Sequence, residues 1–263
     1  MSDVGFSHIG GPTVLIEFAG WRLLTDPTFD PPGRRYTFGW GTSSRKLTGP
    51  AIAPADLPPI DAVLLTHDHH ADNLDDVGRA LLPAAGTVIT TVSGARRLGG
   101  DTHGLRPGQN HHLRTGDKPP ITITATPARH GPPLSRPISG DVIGFALTWP
   151  GQANGPLWIT GDTVAYPAVR TAARALRPGT ILLHLGAVRF PHTGPLRYTM
   201  AAADALDLLD GLTPTTVLPV HYEGWTHFTE NRAGITRALD QFPADLARPF
   251  TWLPFGRTHH LTV

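Results

Sequence analysis

Residues 66 to 73 read Thr-His-Asp-His-His-Ala-Asp-Asn, directly after the apolar run Ala62-Val63-Leu64-Leu65. Three histidines and two carboxylates in so short a stretch offer imidazole nitrogen and carboxylate oxygen, the donors that Zn²⁺ and related divalent ions take. A strand that stops abruptly at such a cluster can aim several of these groups at one point. The alternative is a solvated polar turn, but His is uncommon and adjacent imidazoles would repel if protonated. The chain has no Cys. That excludes a disulfide framework, thiolate ligands and a cysteine nucleophile, so a metal here would be held by His, Asp or Glu.

Three further candidates stand just past apolar runs. His130 follows Ile121-Thr122-Ile123-Thr124-Ala125-Thr126-Pro127-Ala128-Arg129, Asp162 follows Leu157-Trp158-Ile159-Thr160-Gly161, and His221 follows Thr216-Val217-Leu218-Pro219-Val220. In sheets layered with helices, ligands gather at one set of strand ends, so four such ends could converge on one cleft. Singly, each reads as a turn residue or cap. Other histidines read differently: His184, inside Ile181-Leu182-Leu183-His184-Leu185, as a hydrogen-bonded core residue; His192 as a loop residue that faces either substrate or solvent; His111-His112 with His103 as solvated loop; and His259-His260 as part of a final strand. Arg34, Arg35, Arg45 and Lys46 form a basic stretch, read as a solvated loop with anionic-substrate contact as the alternative.

The elements that must position these groups are short. Thr13–Phe18 and Trp21–Thr25, split by Ala19-Gly20, read as a hairpin. Residues 27–59, dense in Pro, Gly, Arg and aromatics (Phe29, Tyr36, Phe38, Trp40), read as a long surface loop that could cover a cleft. Strands are expected at 61–66, 87–92, 121–126, 142–149, 157–161, 180–185, 215–220 and 250–254, with a last one at 258–263. Helices are expected at 73–82, 163–176, 199–210 and 229–241, the third capped by Thr199. This is an α/β pattern of mixed sheets with helices packed outside. No linker or composition break divides residues 1–263, which read as one domain.

With these motifs in place, the chain resembles the metallo-β-lactamase-fold hydrolases, and more narrowly the branch that includes L-ascorbate 6-phosphate lactonase and N-acyl-phosphatidylethanolamine phospholipase D. The resemblance is carried by Gly10-Gly11-Pro12-Thr13-Val14-Leu15-Ile16-Glu17, Leu24-Thr25-Asp26-Pro27, Thr66 to Asp75, Pro127-Ala128-Arg129-His130, Thr160-Gly161-Asp162-Thr163 and Pro219-Val220-His221-Tyr222. These occur in the family's order and cover nearly the whole chain. The resemblance implies a four-layer αββα sandwich with a metal site between the edges of two sheets. It also implies one ion on His67, His69 or His70, and His130, bridged by Asp162, and a second on Asp72, Asp162 and His221. The family's His-x-His-x-Asp-His motif is interrupted here by one inserted residue. His69 and His70 therefore compete for one ligand role, with the His-x-His spacing favouring His69. Asn73 stands where the motif's last His would be, as a weak ligand or a substrate-facing group, and Asp26 takes a structural part near the site.

The chemistry implied is hydrolysis of a small ester, lactone or phosphodiester by a metal-activated water, with Asp72 orienting or deprotonating that water. One or two divalent ions are expected, zinc first, with manganese or iron as alternatives. A nuclease and a non-catalytic metal- or ligand-binding protein of the same fold are the competing readings. A formal net charge of +1 gives no field to recruit nucleic acid or an anionic membrane. The absence of a membrane-span-length apolar run and of a signal-like N-terminus gives the expectation of a cytoplasmic protein with a small-molecule substrate. Oligomeric state leaves no readable trace.

Overall fold

Alternation with period two dictates the architecture, because each central strand is apolar on both faces and must be covered on both sides. The structure, a computed structural model, describes residues 2–39 and 41–263; Trp40 lies outside the described residues. In chain order the strands are β1 (Asp3–Gly10), β2 (Thr13–Phe18), β3 (Trp21–Thr25), β4 (Arg35–Thr37), β5 (Ser43–Arg45), β6 (Ala62–Leu64), β7 (Val88–Thr91), β8 (Thr102–Leu105), β9 (Asn110–Leu113), β10 (Ile121–Pro127), β11 (Ile143–Thr148), β12 (Leu157–Ile159), β13 (Thr180–His184), β14 (Thr216–Val220) and β15 (Thr258–Thr262). The helices are α1 (Asp76–Leu81), α2 (Val92–Leu98), α3 (Arg136–Ser139), α4 (Pro167–Leu176), α5 (Ala202–Leu209), α6 (Arg232–Leu239) and α7 (Ala244–Ala247).

One sheet has the order β15-β1-β2-β3-β6-β7-β8, the other β14-β13-β12-β11-β10-β9. Each is antiparallel in one half and parallel in the other: β3, β6, β7 and β8 run parallel, as do β12, β13 and β14. The inner faces meet in one core, where Phe6, Ile16, Leu23, Leu64 and Ile89 face Ile123, Phe145, Leu147, Ile159 and Leu182. The alternate residues point outward. Leu15, Leu24, Val63 and Val88 pack under the α1 side, and Trp158, Ile181, Leu183 and Val217 pack under α4, α5 and α6. This is the four-layer αββα sandwich expected. Among the described residues, no helix is long and apolar enough to cross a membrane.

The hairpin at 13–25 forms as read, with Ala19 (φ 46°) and Gly20 (φ 83°) both left-handed in its two-residue turn. The 27–59 segment is more ordered than a plain surface loop. It contains the β4–β5 hairpin, and it buries Phe29, Tyr36 and Phe38. The reason is Asp75, the N-cap of α1, whose carboxylate accepts from the N–H groups of Phe29, Asp30 and Gly78 and from Lys46 Nζ at 2.8 Å. The basic stretch divides: Lys46 is buried on Asp75 and Arg34 pairs with Asp76 and Asp30, whereas Arg35 and Arg45 are exposed to solvent as read.

Other boundaries shift for local reasons. The expected strand at 250–254 reduces to a single bridge at Phe250, because Pro249 and Pro254 remove ladder donors. Helix α5 starts at Ala202, not at a Thr199 cap. The Thr199 hydroxyl instead donates to Leu185 O at 2.9 Å and accepts from Val188 N–H, while Asp204 caps the Ala201 N–H. His111 and His112 lie in β9, paired with β10, and His103 lies in β8; they are strand residues at the sheet edges rather than solvated loop.

Candidate metal centre

The ends of β6, β10, β12 and β14 deliver the candidate residues to one place. After β6 the chain turns through residues 66–73. Gly161, at φ +63°, brings Asp162 round the end of β12 so closely that a Cβ there would lie 2.7 Å from Ile143 O. His221 itself sits at φ 56°, a conformation that non-glycine residues rarely take outside functional sites, and its N–H donates to Gly11 O at 2.9 Å.

Two clusters result, one of His67, His70 and His130 and one of Asp72, Asp162 and His221, all six buried. In the first, His70 Nδ1 lies 3.3 Å from His67 Nε2 and 3.1 Å from His130 Nε2. Nitrogens held about 2.05 Å from one tetrahedral ion stand about 3.3 Å apart, so this spacing suits a shared cation. In the second, His221 Nε2 lies 3.4 Å from Asp72 Oδ2 and 3.3 Å from Asp162 Oδ2. Asp162 Oδ2 also lies 4.0 Å from His130 Nε2, which places it between the clusters.

The donor set fits divalent ions on its own terms. Both oxygens of Asp162, Oδ1 of Asp72 and Nε2 of His221 are buried with no hydrogen-bond partner, an arrangement that costs free energy unless a cation compensates it. Burial, reinforced by the neighbouring imidazoles, holds His67 well below its ordinary pKa; burial brings His70 down to about 4 and His130 to about 3. All three are therefore neutral near pH 7, with lone pairs free to coordinate. Burial raises Asp162 to about 6. At His221 burial opposes the charge, but the carboxylates of Asp162 and Asp72 outweigh it and raise the ring to about 9. A proton thus sits where the two carboxylates call for positive charge.

Outer contacts orient the rings. His130 Nδ1–H donates to Tyr198 O at 2.8 Å and His221 Nδ1–H to Leu185 O at 3.3 Å, so each turns Nε2 inward. Thr66 Oγ1 donates to Asp26 at 2.9 Å and stands 3.1 Å from His67 Nδ1, which fixes that ring in the same sense. Asp26, raised by burial to about 7, also meets His184 Nε2 at 3.3 Å, so both residues serve the scaffold as read.

The structure brings His67, His70, Asp72, His130, Asp162 and His221 together and leaves His69 out. This corrects the preference for His69 that the His-x-His spacing gave. The His69 ring packs on Gly140, and its Nδ1 lies 3.2 Å from Arg97 and 3.6 Å from Asp68. The chain turns at His70, whose carbonyl accepts from the N–H groups of Asn73 and Leu74, and it is His70 Nδ1 that stands with His67 and His130. Asn73 is buried beside the site, its Nδ2 3.4 Å from Thr66 Oγ1 and its Oδ1 unpartnered. His192 lines a cavity next to His70 and His130.

One residue escaped sequence reasoning. His227, buried, places Nε2 2.9 Å from Asp72 Oδ2 and stacks on Phe190 with ring centroids 5.3 Å apart. It lies beyond β14 in Trp225-Thr226-His227-Phe228, with no strand or motif to single it out; that aromatic run after His221 was the one available signal. Phe38, from the 27–59 segment, covers the site at 5.2 Å from the His70 ring and 5.1 Å from His227.

Two sheets flanked by helices, with histidines and aspartates gathered at their strand ends, define a metal-site sandwich of the metallo-β-lactamase type. The chain belongs to the beta-lactamase superfamily, whose domain model matches residues 21–222. It is 26% identical over 203 residues to a UPF0173 metal-dependent hydrolase of Desulforamulus reducens, covering 74% of this chain and 82% of that protein. In fold it is similar to the isothiocyanate hydrolase from Delia radicum gut bacteria, with a TM-score of 0.81 at 21% identity over 98% of this chain and 100% of that one. It is equally similar to a possible metal-dependent hydrolase from Veillonella parvula, with a TM-score of 0.81 at 18% identity over 98% and 99% of the two chains. The expectation of a metallo-β-lactamase-fold hydrolase agrees with these relationships.

Proposed function

We propose that the chain is a hydrolase of small molecules in which His67, His70 and His130 hold one divalent ion and Asp72, Asp162 and His221 a second, with Asp162 between them. The observation that carries this reading is the convergence of six buried donors, three of which, Asp72, Asp162 and His221, keep side-chain atoms without a hydrogen-bond partner. An ion held there supplies a water acidified toward neutral pH and Lewis acidity at the electrophile. Asp72 stands where it would orient that water, its Oδ2 held by His227 at 2.9 Å. Phe38 excludes bulk solvent from above. Three imidazoles suit zinc best; the carboxylate-rich second group, short of an imidazole because Asn73 stands at the position of the motif's last His, binds more weakly and also suits manganese or iron.

Small esters and lactones are the substrates this chemistry takes first. The motif likeness to L-ascorbate 6-phosphate lactonase and N-acyl-phosphatidylethanolamine phospholipase D keeps phosphodiesters in the panel. The isothiocyanate hydrolase of similar fold adds isothiocyanates, whose central carbon is open to the same attack by water. The near-neutral net charge speaks against a polyanion such as nucleic acid.

Replacing Asp162 with Ala removes the group shared by both clusters. Hydrolysis across the panel should fall to background and bound metal should drop, measured by turnover and metal analysis on one preparation. Full activity in that variant, or in metal-stripped wild type, would sink the proposal. Asn73 favours one competing reading, a metal-binding protein without turnover, and metal retention with no hydrolysis of any panel member would select it.

A further inference from the structure

Beside His70 and His130 opens a cavity of about 460 Å³ whose walls include Phe38, Pro132, Leu134, Phe190, Leu196 and Tyr198. We propose that this cavity receives an uncharged, apolar group of the substrate, so that the enzyme prefers neutral over anionic substrates. The inference rests on the hydrolase reading and adds the substrate class.

Three observations carry it. Among the described residues lining the cavity there is no Lys, Arg, Asp or Glu. Apart from Tyr198, the lining hydroxyls donate within the chain: Thr42 to Gly39 O, Ser135 to His130 O, Ser139 to Ser135 O and Thr193 to Phe190 O, at 2.6 to 3.1 Å. A charged group entering there, away from the end at His70 and His130, would lose its water and meet no Lys, Arg, Asp or Glu side chain. Third, large apolar side chains stand in solvent at the rim, Leu134 at 95% exposure and Leu196 at 44%. Leu134 is held at φ 69°, a conformation a leucine rarely takes, which marks the rim position as one the surrounding structure imposes.

The contrast lies next door. A second cavity of about 490 Å³ shares His130, Ser135 and Ser139 with the first but is lined by Arg96, Arg106, Arg129 and Arg136, with one carboxylate, Asp141, paired to Arg136. An anionic substrate would be drawn to that side. The two surfaces therefore give opposite preferences, and the apolar one touches both His70 and His130.

The test uses the full chain loaded with zinc and p-nitrophenyl esters of linear acids from acetate to octanoate, each paired with an ester of matched length ending in a sulfonate. Rates are taken above those of chelator-treated protein. kcat/KM should rise about threefold per added methylene until the cavity fills, and a terminal sulfonate should lower it at least tenfold. The double substitution Leu134→Lys with Leu196→Lys should flatten the chain-length dependence and shift preference toward the sulfonates. Metal-dependent turnover with no dependence on chain length, or with the sulfonates preferred, overturns this inference and leaves the hydrolase reading standing. If neither these esters nor any lactone, phosphodiester or isothiocyanate of the panel turns over, the hydrolase reading fails, and binding decides the cavity. Saturation transfer to 4-phenyl-1-butanol, weakened in the double variant, supports the apolar pocket; no transfer in wild type overturns it.

Discussion

The placement of His70 and Asp72 depends on neighbours that motif spacing does not reveal. In the family's interrupted motif two adjacent histidines looked equivalent by residue type. They differ in direction: His70 is buried among imidazoles, whereas His69 leans on Arg97 and Gly140. The strand-end residues His67, His130, Asp162 and His221 were legible because an apolar run announces each one. The choice between His69 and His70 was not, because it depends on how an inserted residue is absorbed by a turn. His227 is a positioning residue, since it touches the Asp72 carboxylate and lies outside both clusters. His227→Ala should weaken binding of the second ion about 10- to 100-fold, the usual cost of losing an outer-shell partner, while His227→Gln restores part of it. Chelator competition at two metal concentrations reads this directly, and an unchanged affinity would mean that His227 merely fills space.

At the scale of elements, the core strands were readable from their own periodicity, as the hairpin at 13–25 and the run from β10 to β14 show. Elements poor in apolar residues were not. Helix α2 and strands β8 and β9 contain Arg96, Arg97, His103, His111 and His112, and they are held by their places at the sheet edges rather than by local pattern. The 27–59 segment hid its order for a similar reason, because its anchor is Asp75, distant in sequence. The buried Lys46–Asp75 pair ties this segment to the start of α1, directly behind the ligand turn. Lys46→Met would leave the Asp75 carboxylate without its cation, though three N–H donors remain. The expected cost is about 3 kcal/mol, at the low end for breaking a buried pair. Urea unfolding should show it as a lower midpoint with an unchanged slope. A cost below about 0.5 kcal/mol, the range of ordinary surface changes, would remove the pair from this account.

For the whole molecule, the sandwich turns two half-parallel sheets into a rigid frame, and the left-handed backbone at His221 and the close approach at Gly161 bring their ends together. The frame leaves unpartnered carboxylate oxygens beside His221 and next to the three neutral imidazoles of the first cluster, a combination that metal binding would complete. The most direct test is metal content per chain, measured with hydrolysis of the preferred ester in wild type, His70→Ala and His69→Ala. The account predicts one tightly held ion and a second, weaker one in wild type, loss of the tight ion and of activity in His70→Ala, and retention of both in His69→Ala. A wild-type chain that binds no divalent ion, or one that loses its metal through His69 and keeps it without His70, would contradict it.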